Sequence, residues 1–349
     1  MTPDDIARFD PSGMYNRIKV FPTQVREAVT IGNTTPMKLR AAGTKNIILC
    51  GLGGSAIGGD LLRSYLTDEL TIPFLVNRHY TLPKFVGRDT LVIISSYSGN
   101  TEETNAAHRE ALKRKARILC ITSGGTTAAL AARHRSACIM IPGGSPPRAA
   151  LGYSFFPLLL SLTRLGFVRS KASAIRETIA LLEEKSEPYS VLDPSRNAAL
   201  ELAEQLQGRI TIIYSSTERF DAVGTRWRSQ IAENGKSLSF GHVLPEMNHN
   251  ELVGWKVLHH QMKEMHVVFL RDRTDHPRVA IRMDITRQIL REFTPHITDV
   301  WSEGKTSLAR MFSLVYLGDW VSYYLSILHR VDPTPVTVID RLKRELARV

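Results

Sequence analysis

Two segments of the chain carry side chains suited to proton transfer. Glu233 lies in "SQIAENGKS" (229–237), beside a tight turn at a helix end, and His249 lies between two asparagines in "LPEMNHNELVGW" (244–255). A carboxylate and an imidazole held in loops are the usual equipment for moving a proton between carbon and oxygen. Taken singly, each is more often a structural or exposed residue. A third segment, "IISSYSGNTEET" (93–104), offers binding rather than proton chemistry. It leaves an apolar run through Ser95, Ser96, Ser98, Gly99 and Thr101, with no positive side chain. Exposed amides and the positive end of a helix dipole at such a strand-to-helix turn favour a phosphate. Ser96, Ser98 and Thr101 add hydroxyl donors, and Gly99 lets the backbone approach. The plainer alternative is an N-cap, with Ser98 or Thr101 capping the helix and Glu102 and Glu103 in its first turn. One hydroxyl suffices for a cap, and the cluster exceeds that.

The stretch "CGLGGSAIGGD" (50–60) follows a strand and opens a helix. Gly51, Gly53 and Ala56 satisfy the G-x-G-x-x-[GA] dinucleotide pattern, but that site also wants an acidic residue at the end of the second strand. Here that strand ends in "LVNRHY", with Asn77 and Arg78. This disfavours NAD, leaves NADP formally open through Arg78, and leaves a packing role for the glycines open as well. "GGSPPRAALGY" (143–153) places Arg148 after two prolines, where a rigid turn could aim a guanidinium at the mouth of a sheet or leave it on the surface. A P-loop is excluded, because "EGKTS" (303–307) lacks the upstream glycine.

Several elements must position these residues. "NIILC" (46–50), "IPFLV" (72–76), "DTLVIIS" (89–95), "RILCIT" (117–122) and "ACIMIP" (137–142) read as short apolar strands separated by helical sequence. That alternation predicts βαβ units and a parallel sheet covered on both faces. Residues 151–185 read as helix, and "SEPYSVLDPSRN" (186–197), with two prolines, reads as a linker. Strands at 209–216, 266–270 and 297–301 resume the pattern. The expected architecture is α/β, with an N-terminal unit over 1–185 that includes an N-terminal extension, and a C-terminal unit over 198–349 that ends in a helical segment.

The net charge is +11 and the pI about 9.7. The basic residues are scattered along helical stretches, without aromatic interleaving or zinc spacing, so a solvated basic surface is expected and nucleic acid is not. Cys50, Cys120 and Cys138 match no metal spacing and read as reduced core cysteines of a cytoplasmic protein. No N-terminal signal is visible, and "MFSLVYLGDWVSYYLSIL", interrupted by Asp319, reads as a buried helix and not a membrane span.

Taken together, "GLGGSAIGGDL", "SSYSGNTEET", "ITSGG" (121–125), "PPRAALGY", "ENGK", "PEMNHNELVGW" and "DPTPVTVIDRLK" resemble, in order, the bifunctional phosphoglucose/phosphomannose isomerases. These are a branch of the phosphoglucose isomerase superfamily built from two sugar-isomerase (SIS) domains. The resemblance implies two doubly wound parallel-sheet domains (α/β/α sandwiches) and a homodimer whose active site is shared between subunits. It implies a hexose 6-phosphate substrate and a place in glycolysis and gluconeogenesis. Glucose 6-phosphate, and with it mannose 6-phosphate, would be interconverted with fructose 6-phosphate. By this likeness Gly54, Ser55, Ser96, Ser98 and Thr101 hold the phosphate, and Glu233 shuttles a proton between C1 and C2 through a cis-enediol. His249, from the partner subunit, and Lys343 assist ring opening, and Arg148 stabilises the enediolate or holds the base. No metal or other cofactor is implied. A threonine near Lys343, either Thr334 or Thr337, would permit mannose. Two other readings remain in view: a non-catalytic sugar-phosphate-binding SIS regulator and an NADP-dependent oxidoreductase.

Overall fold

The computed structural model describes residues 1–217, 219–346 and 348. The chain opens with three helices, α1 (Pro3–Phe9), α2 (Met14–Lys19) and α3 (Phe21–Thr34). The first sheet follows, with β1 (Asn46–Cys50), α4 (Gly53–Tyr65), β2 (Phe74–Asn77), β3 (Thr90–Ser96), α5 (Glu102–Lys113), β4 (Arg117–Thr122), α6 (Gly125–His134) and β5 (Ala137–Met140). Its five strands are parallel in the order β2-β1-β3-β4-β5. Side chains alternate across a strand, so Ile47, Leu49, Leu91 and Ile93 enter one apolar layer while Ile48, Cys50, Val92 and Ile94 enter the other.

Helices α7 (Leu151–Arg164), α8 (Ala172–Ser190) and α9 (Ala198–Leu206) lead to the second sheet. The helical stretch expected over 151–185 is thus two helices, broken around Gly166 at φ +80°. Residues 186–190 are the last turn of α8, which runs through Pro188, and only 191–197 are non-α-helical. The second half comprises β6 (Ile210–Ser216), α10 (Asp221–Glu233), β7 (Ser239–Leu244), α11 (Glu251–Gly254), α12 (His259–Lys263), β8 (Met265–Arg271), α13 (Pro277–Leu290), β9 (Ile297–Trp301), α14 (Ser307–Leu328) and α15 (Thr337–Leu346). Its strands are parallel in the order β7-β6-β8-β9. Strand β7 is absent from the sequence reading. It is an edge strand containing Gly241 and His242, with Phe240 exposed, so its apolar signal is weak.

The large cluster between the sheets is built from both halves and centres on α7 and α14. Helix α14 has the length and apolarity of a membrane span, yet almost its whole surface is buried in this cluster. Cys50, Cys120 and Cys138 are free thiols, and burial pushes Cys50 up to about 12.

Two buried histidines give the fold a defined acid limb. Burial, reinforced by His134 and Arg109, holds His108 at a pKa of about 4, and burial also holds His266 at about 4. Both values lie below the ordinary 6.5, so both rings are neutral in the folded protein at neutral pH. As the pH falls from 6.5 toward 4, the unfolded chain binds protons that the fold refuses, so stability present above that window is lost within it. Each ring accounts for a loss of about 3 kcal/mol at most. A His108→Leu protein is expected to show an acid limb flatter by about that amount, read from urea unfolding at neutral pH and at the bottom of the window.

Candidate active site

The carboxyl ends of β1 and β3 adjoin at the point where the sheet's connections diverge, the usual ligand position in an open α/β sheet. After β1 the chain enters α4 through Leu52 with no side-chain cap, and after β3 it enters α5 through Thr101, also with no side-chain cap. The capping alternative therefore fails, and the orphan amides of both helix starts remain available to an anion. The loops are stiffened from within. The Tyr97 amide donates to Ser55 Oγ at 3.1 Å, Ser96 Oγ donates to Thr101 Oγ1 at 3.3 Å, and the Asn100 amide donates to Ser98 Oγ at 3.3 Å. Ser55 and Ser96 are buried, whereas Ser98 is exposed and Thr101 half-buried. Gly99 sits at φ +72°, and a Cβ there would lie 1.8 Å from the Gly124 carbonyl oxygen. Only glycine fits.

The second half treats its anion niches differently. Glu177 accepts the Thr306 amide at the start of α14, and Asp221 in the first turn of α10 accepts Ser64 Oγ and Arg63. Asp272 after β8 accepts the Thr274 amide at 2.8 Å and Arg310 Nε at 2.8 Å. These niches are filled by the chain's own carboxylates, which leaves the helix starts of the first sheet as the place for a phosphate held by backbone amides.

Of the two glycines in the dinucleotide-like pattern, Gly51 is a packing residue, since a Cβ there would lie 2.8 Å from the Ser95 carbonyl oxygen. Gly53 has open space where a Cβ would stand and is set by its φ of +51°; beside it, a Cβ on Gly54 would lie 2.6 Å from the Pro147 carbonyl oxygen. Arg78, the residue that left NADP open, pairs with Asp60.

Arg148 is buried, not on the surface. It follows Pro147, which abuts Gly54, and it crosses to the second half. Its Nε donates to Asn234 Oδ1 at 2.6 Å, Nη1 to Glu233 Oε2 at 3.3 Å, and Nη2 to the carbonyls of Pro333 and Thr334 at 2.6 and 2.9 Å. Burial pulls the guanidinium's pKa down, and Glu233 and Asp332 pull it back. One continuous set of contacts thus joins the phosphate loop, a cation and a carboxylate. The Glu233 side chain is 32% exposed, so its open side can meet a substrate.

Several residues of this site were not singled out from the sequence. Arg226 and Gln230 on α10 and Asn234 at its C-cap lie one helical turn apart and are all buried. Arg226 donates to both carboxylate oxygens of Asp319 on α14, at 3.0 and 2.6 Å, and also to the Arg148 carbonyl at 3.0 Å. Gln230 donates to Asp319 at 2.8 Å, and Asn234 donates to Ser322 at 3.0 Å. Burial pushes the Asp319 carboxyl up, and Arg226 and then Gln230 pull it back. Lys236, at φ +53°, donates to the carbonyls of Glu233, Pro333 and Pro335, tying the 333–335 turn to the base. The i, i+4, i+8 spacing of polar residues opposite Asp319 is the signal that could have revealed this network.

His249 and Lys343 are not brought to Glu233 by contacts within the chain. Glu233 precedes β7 and exposed His249 follows it, so the length of that strand, about 20 Å, separates them. Lys343 lies on α15, none of whose residues is buried. Of the two threonines, Thr334 touches Arg148, and its buried Oγ1 makes no hydrogen bond among the described residues, whereas Thr337 is exposed at the start of α15. Among the described residues, no cluster of His, Cys, Asp and Glu could hold a metal ion.

Residues 42–169 match the SIS domain family, and residues 195–346 match the bacterial phospho-glucose isomerase C-terminal SIS domain. The chain is 43% identical to the bifunctional phosphoglucose/phosphomannose isomerase of Caldicellulosiruptor bescii, over 96% of this chain and 99% of that protein. The chain belongs to the bifunctional phosphoglucose/phosphomannose isomerase family. The Aquifex aeolicus protein of the same name is 38% identical over 87% of this chain and 91% of its own. A glucose-6-phosphate isomerase like protein from Thermus thermophilus shares the fold, with a TM-score of 0.64, 19% identity and 98% of each chain covered.

Proposed function

We propose that this chain is an aldose–ketose isomerase that interconverts glucose 6-phosphate and mannose 6-phosphate with fructose 6-phosphate through a cis-enediol. The observation that carries this reading is the path of contacts from Gly54 through Arg148 to Glu233. It puts two uncapped helix starts and a carboxylate on either side of one buried guanidinium. Full-length relatives named for this activity support it.

In this account the unit over 1–185 grips the phosphate with Gly54, Ser55, Ser96, Ser98 and Thr101, while the unit over 198–349 supplies the base. The phosphate is remote from the reacting carbons, and its binding energy holds C1 and C2 over Glu233. Glu233 removes the proton from one carbon and returns it to the other. The Arg148 guanidinium orients the carboxylate and faces the negative charge that develops on the enediolate oxygen. Thr334 offers its free hydroxyl beside Arg148 and takes the mannose-permitting role.

A second copy of the chain completes the site. Glu233 and His249 are a strand's length apart in one protomer, and each stands beside an uncovered apolar surface. Val253 and Val257 are each 76% exposed just after His249, and Val338 and Leu342 project from α15, which carries Lys343. Pairing these surfaces in a homodimer delivers the partner subunit's His249 toward Glu233 and Lys343.

A coupled assay with glucose 6-phosphate and mannose 6-phosphate side by side tests the activity; turnover of neither would refute it. Mixing tests the shared site. Inactive Glu233→Gln and His249→Ala proteins, refolded together, are expected to recover about a quarter of wild-type activity, because half the dimers are mixed and each contains one intact site. No recovery would place both residues in one protomer.

A further inference from the structure

The two halves repeat one wiring. β6, α10, β7, β8 and β9 follow the order and neighbours of β1, α4, β2, β3 and β4, and α14 packs on α10 as α7 packs on α4. Helices α4 and α10 are each 13 residues long and pack against each other. They run antiparallel. Ser64, near the end of α4, donates to Asp221 at the start of α10 at 2.9 Å, and Arg148, beside the start of α4, reaches Glu233 at the end of α10.

The active site uses strand ends of the first sheet, the start of α7 and the end of α10. Carried into the second half, the same wiring leads to the ends of β6 and β8, the start of α14 and the end of α4. A cleft of about 750 Å³ lies there. Tyr65 lines it at the end of α4 and Glu69 just beyond, Arg219 and Phe220 after β6, Thr274 after β8, and Arg310 in the first turn of α14. Its volume is in the range of small-molecule sites.

This cleft is not a second isomerase centre. Tyr65 stands at the helix position that Glu233 holds in α10, each being the last residue of its helix. The niche after β8 is filled by the wholly buried carboxylate of Asp272, bonded to Arg310 and Thr274. A ligand therefore lies further out, where Tyr65 and Phe167 are half-buried, Phe220 and Met311 are buried, and the Lys171 ammonium stands 5.5 Å from the centre of the Tyr65 ring. On the rim Lys171 pairs with Glu69 and Arg219 with Asp68, which leaves the Arg169 side chain with no ion-pair partner among the described residues and the rim with one positive charge in excess.

We propose that this cleft is a second ligand site, taking a small phosphorylated metabolite with a ring body, and that its occupancy tunes the active site through α4 and α10. The ring packs against Phe167, and the phosphate meets Arg169 and draws Arg219 from Asp68. Each helix is about 20 Å long and has one end in each site. Helix α4 begins at the phosphate loop and ends in the cleft, while α10 begins in the cleft and ends at Glu233. A ligand that shifts the Ser64–Asp221 contact therefore acts on the phosphate grip and the base together. The coupling has a physical carrier, two packed helices shared by both sites. The site itself rests on the residues of the cleft, drawn from both halves, and not on the isomerase reading.

Hydrogen-exchange mass spectrometry of the full chain with inorganic pyrophosphate, and separately with adenosine 5′-monophosphate, tests the site without relying on activity. Protection is expected over 64–71 and 166–171, with the nucleotide stronger because it adds the ring. An Arg169→Glu/Arg219→Glu protein is expected to bind about tenfold more weakly at unchanged basal turnover. An Arg169→Gln/Arg219→Gln protein is expected to do the same, and it covers the case in which charge reversal disturbs folding. Protection confined to 51–55 and 96–101, no protection at all, or binding unmoved in both variants would overturn the proposal. With the cleft protected, the wild-type kcat or KM for fructose 6-phosphate is expected to move, and the variants' much less. Unmoved turnover in the wild type would overturn the regulatory role.

Discussion

A Glu233→Gln protein is expected to fold normally, to bind fructose 6-phosphate, and to lose about a hundred- to ten-thousand-fold in kcat, the range for removing a positioned general base. The fold is spared because the side chain is partly exposed and the structural contact of this residue is through its backbone, whose carbonyl accepts Lys236. Arg148 loses one long contact at 3.3 Å and keeps Asn234, Pro333 and Thr334. Glutamine preserves the shape of the carboxylate but cannot accept and return a proton near neutral pH. Because the phosphate is held by the other half, KM is expected to change little. Steady-state kinetics in both directions check this. A loss that fell mainly on KM, with kcat preserved, would mean that Glu233 binds substrate rather than carrying the proton.

The largest effect on stability is expected at Asp319. An Asp319→Ala protein leaves the buried Arg226 guanidinium without its carboxylate, and breaking such a pair from one side costs about 3–5 kcal/mol. Arg226 and Asp319 are both almost wholly buried, and the carboxylate also accepts Gln230. Arg226 in turn donates to the Arg148 backbone, so the defect reaches the active site. The double substitution Arg226→Met/Asp319→Leu removes both charges at once and is expected to recover most of the stability without recovering full kcat, because the support under Arg148 is gone. Equilibrium urea unfolding with parallel kinetics separates the two effects. A loss below about 1 kcal/mol in Asp319→Ala would show that the pair is solvated.

Much of the first half could be read from the sequence because its physics is local. Strands such as "NIILC" and "LVIIS" are continuous apolar runs buried on both faces, and the helices between them begin at glycine or hydroxyl residues. The second half was harder where elements are half-exposed. β7 carries Phe240 outward, so it does not show the contrast that a covered element shows, whereas the helical segment expected at the end of the chain is α15. The phosphate loop was recognisable in composition, but Gly99 needed the structure, since the Gly124 carbonyl that dictates it belongs to a different loop. Arg148 was undecided from its spacing. What decides it is the closure of the two halves, which brings Glu233, Asn234 and the 333–334 turn to one guanidinium. The Arg226–Gln230–Asn234 row was visible as a spacing but had no partner until α14 supplied Asp319 and Ser322. The distance between Glu233 and His249 follows from strand order, which no local pattern carries.

Proton exchange at C2 tests the central claim most directly. Glucose 6-phosphate deuterated at C2 is incubated in ordinary water, and the fate of the label is followed by proton NMR alongside formation of fructose 6-phosphate. The wild-type protein is expected to lose part of the label to water and to pass the rest to C1, as one base serving both carbons requires. The Glu233→Gln protein is expected to do neither above background. Fructose 6-phosphate carrying the whole label at C1, as a hydride shift would leave it, or washout undiminished in Glu233→Gln, would contradict the account.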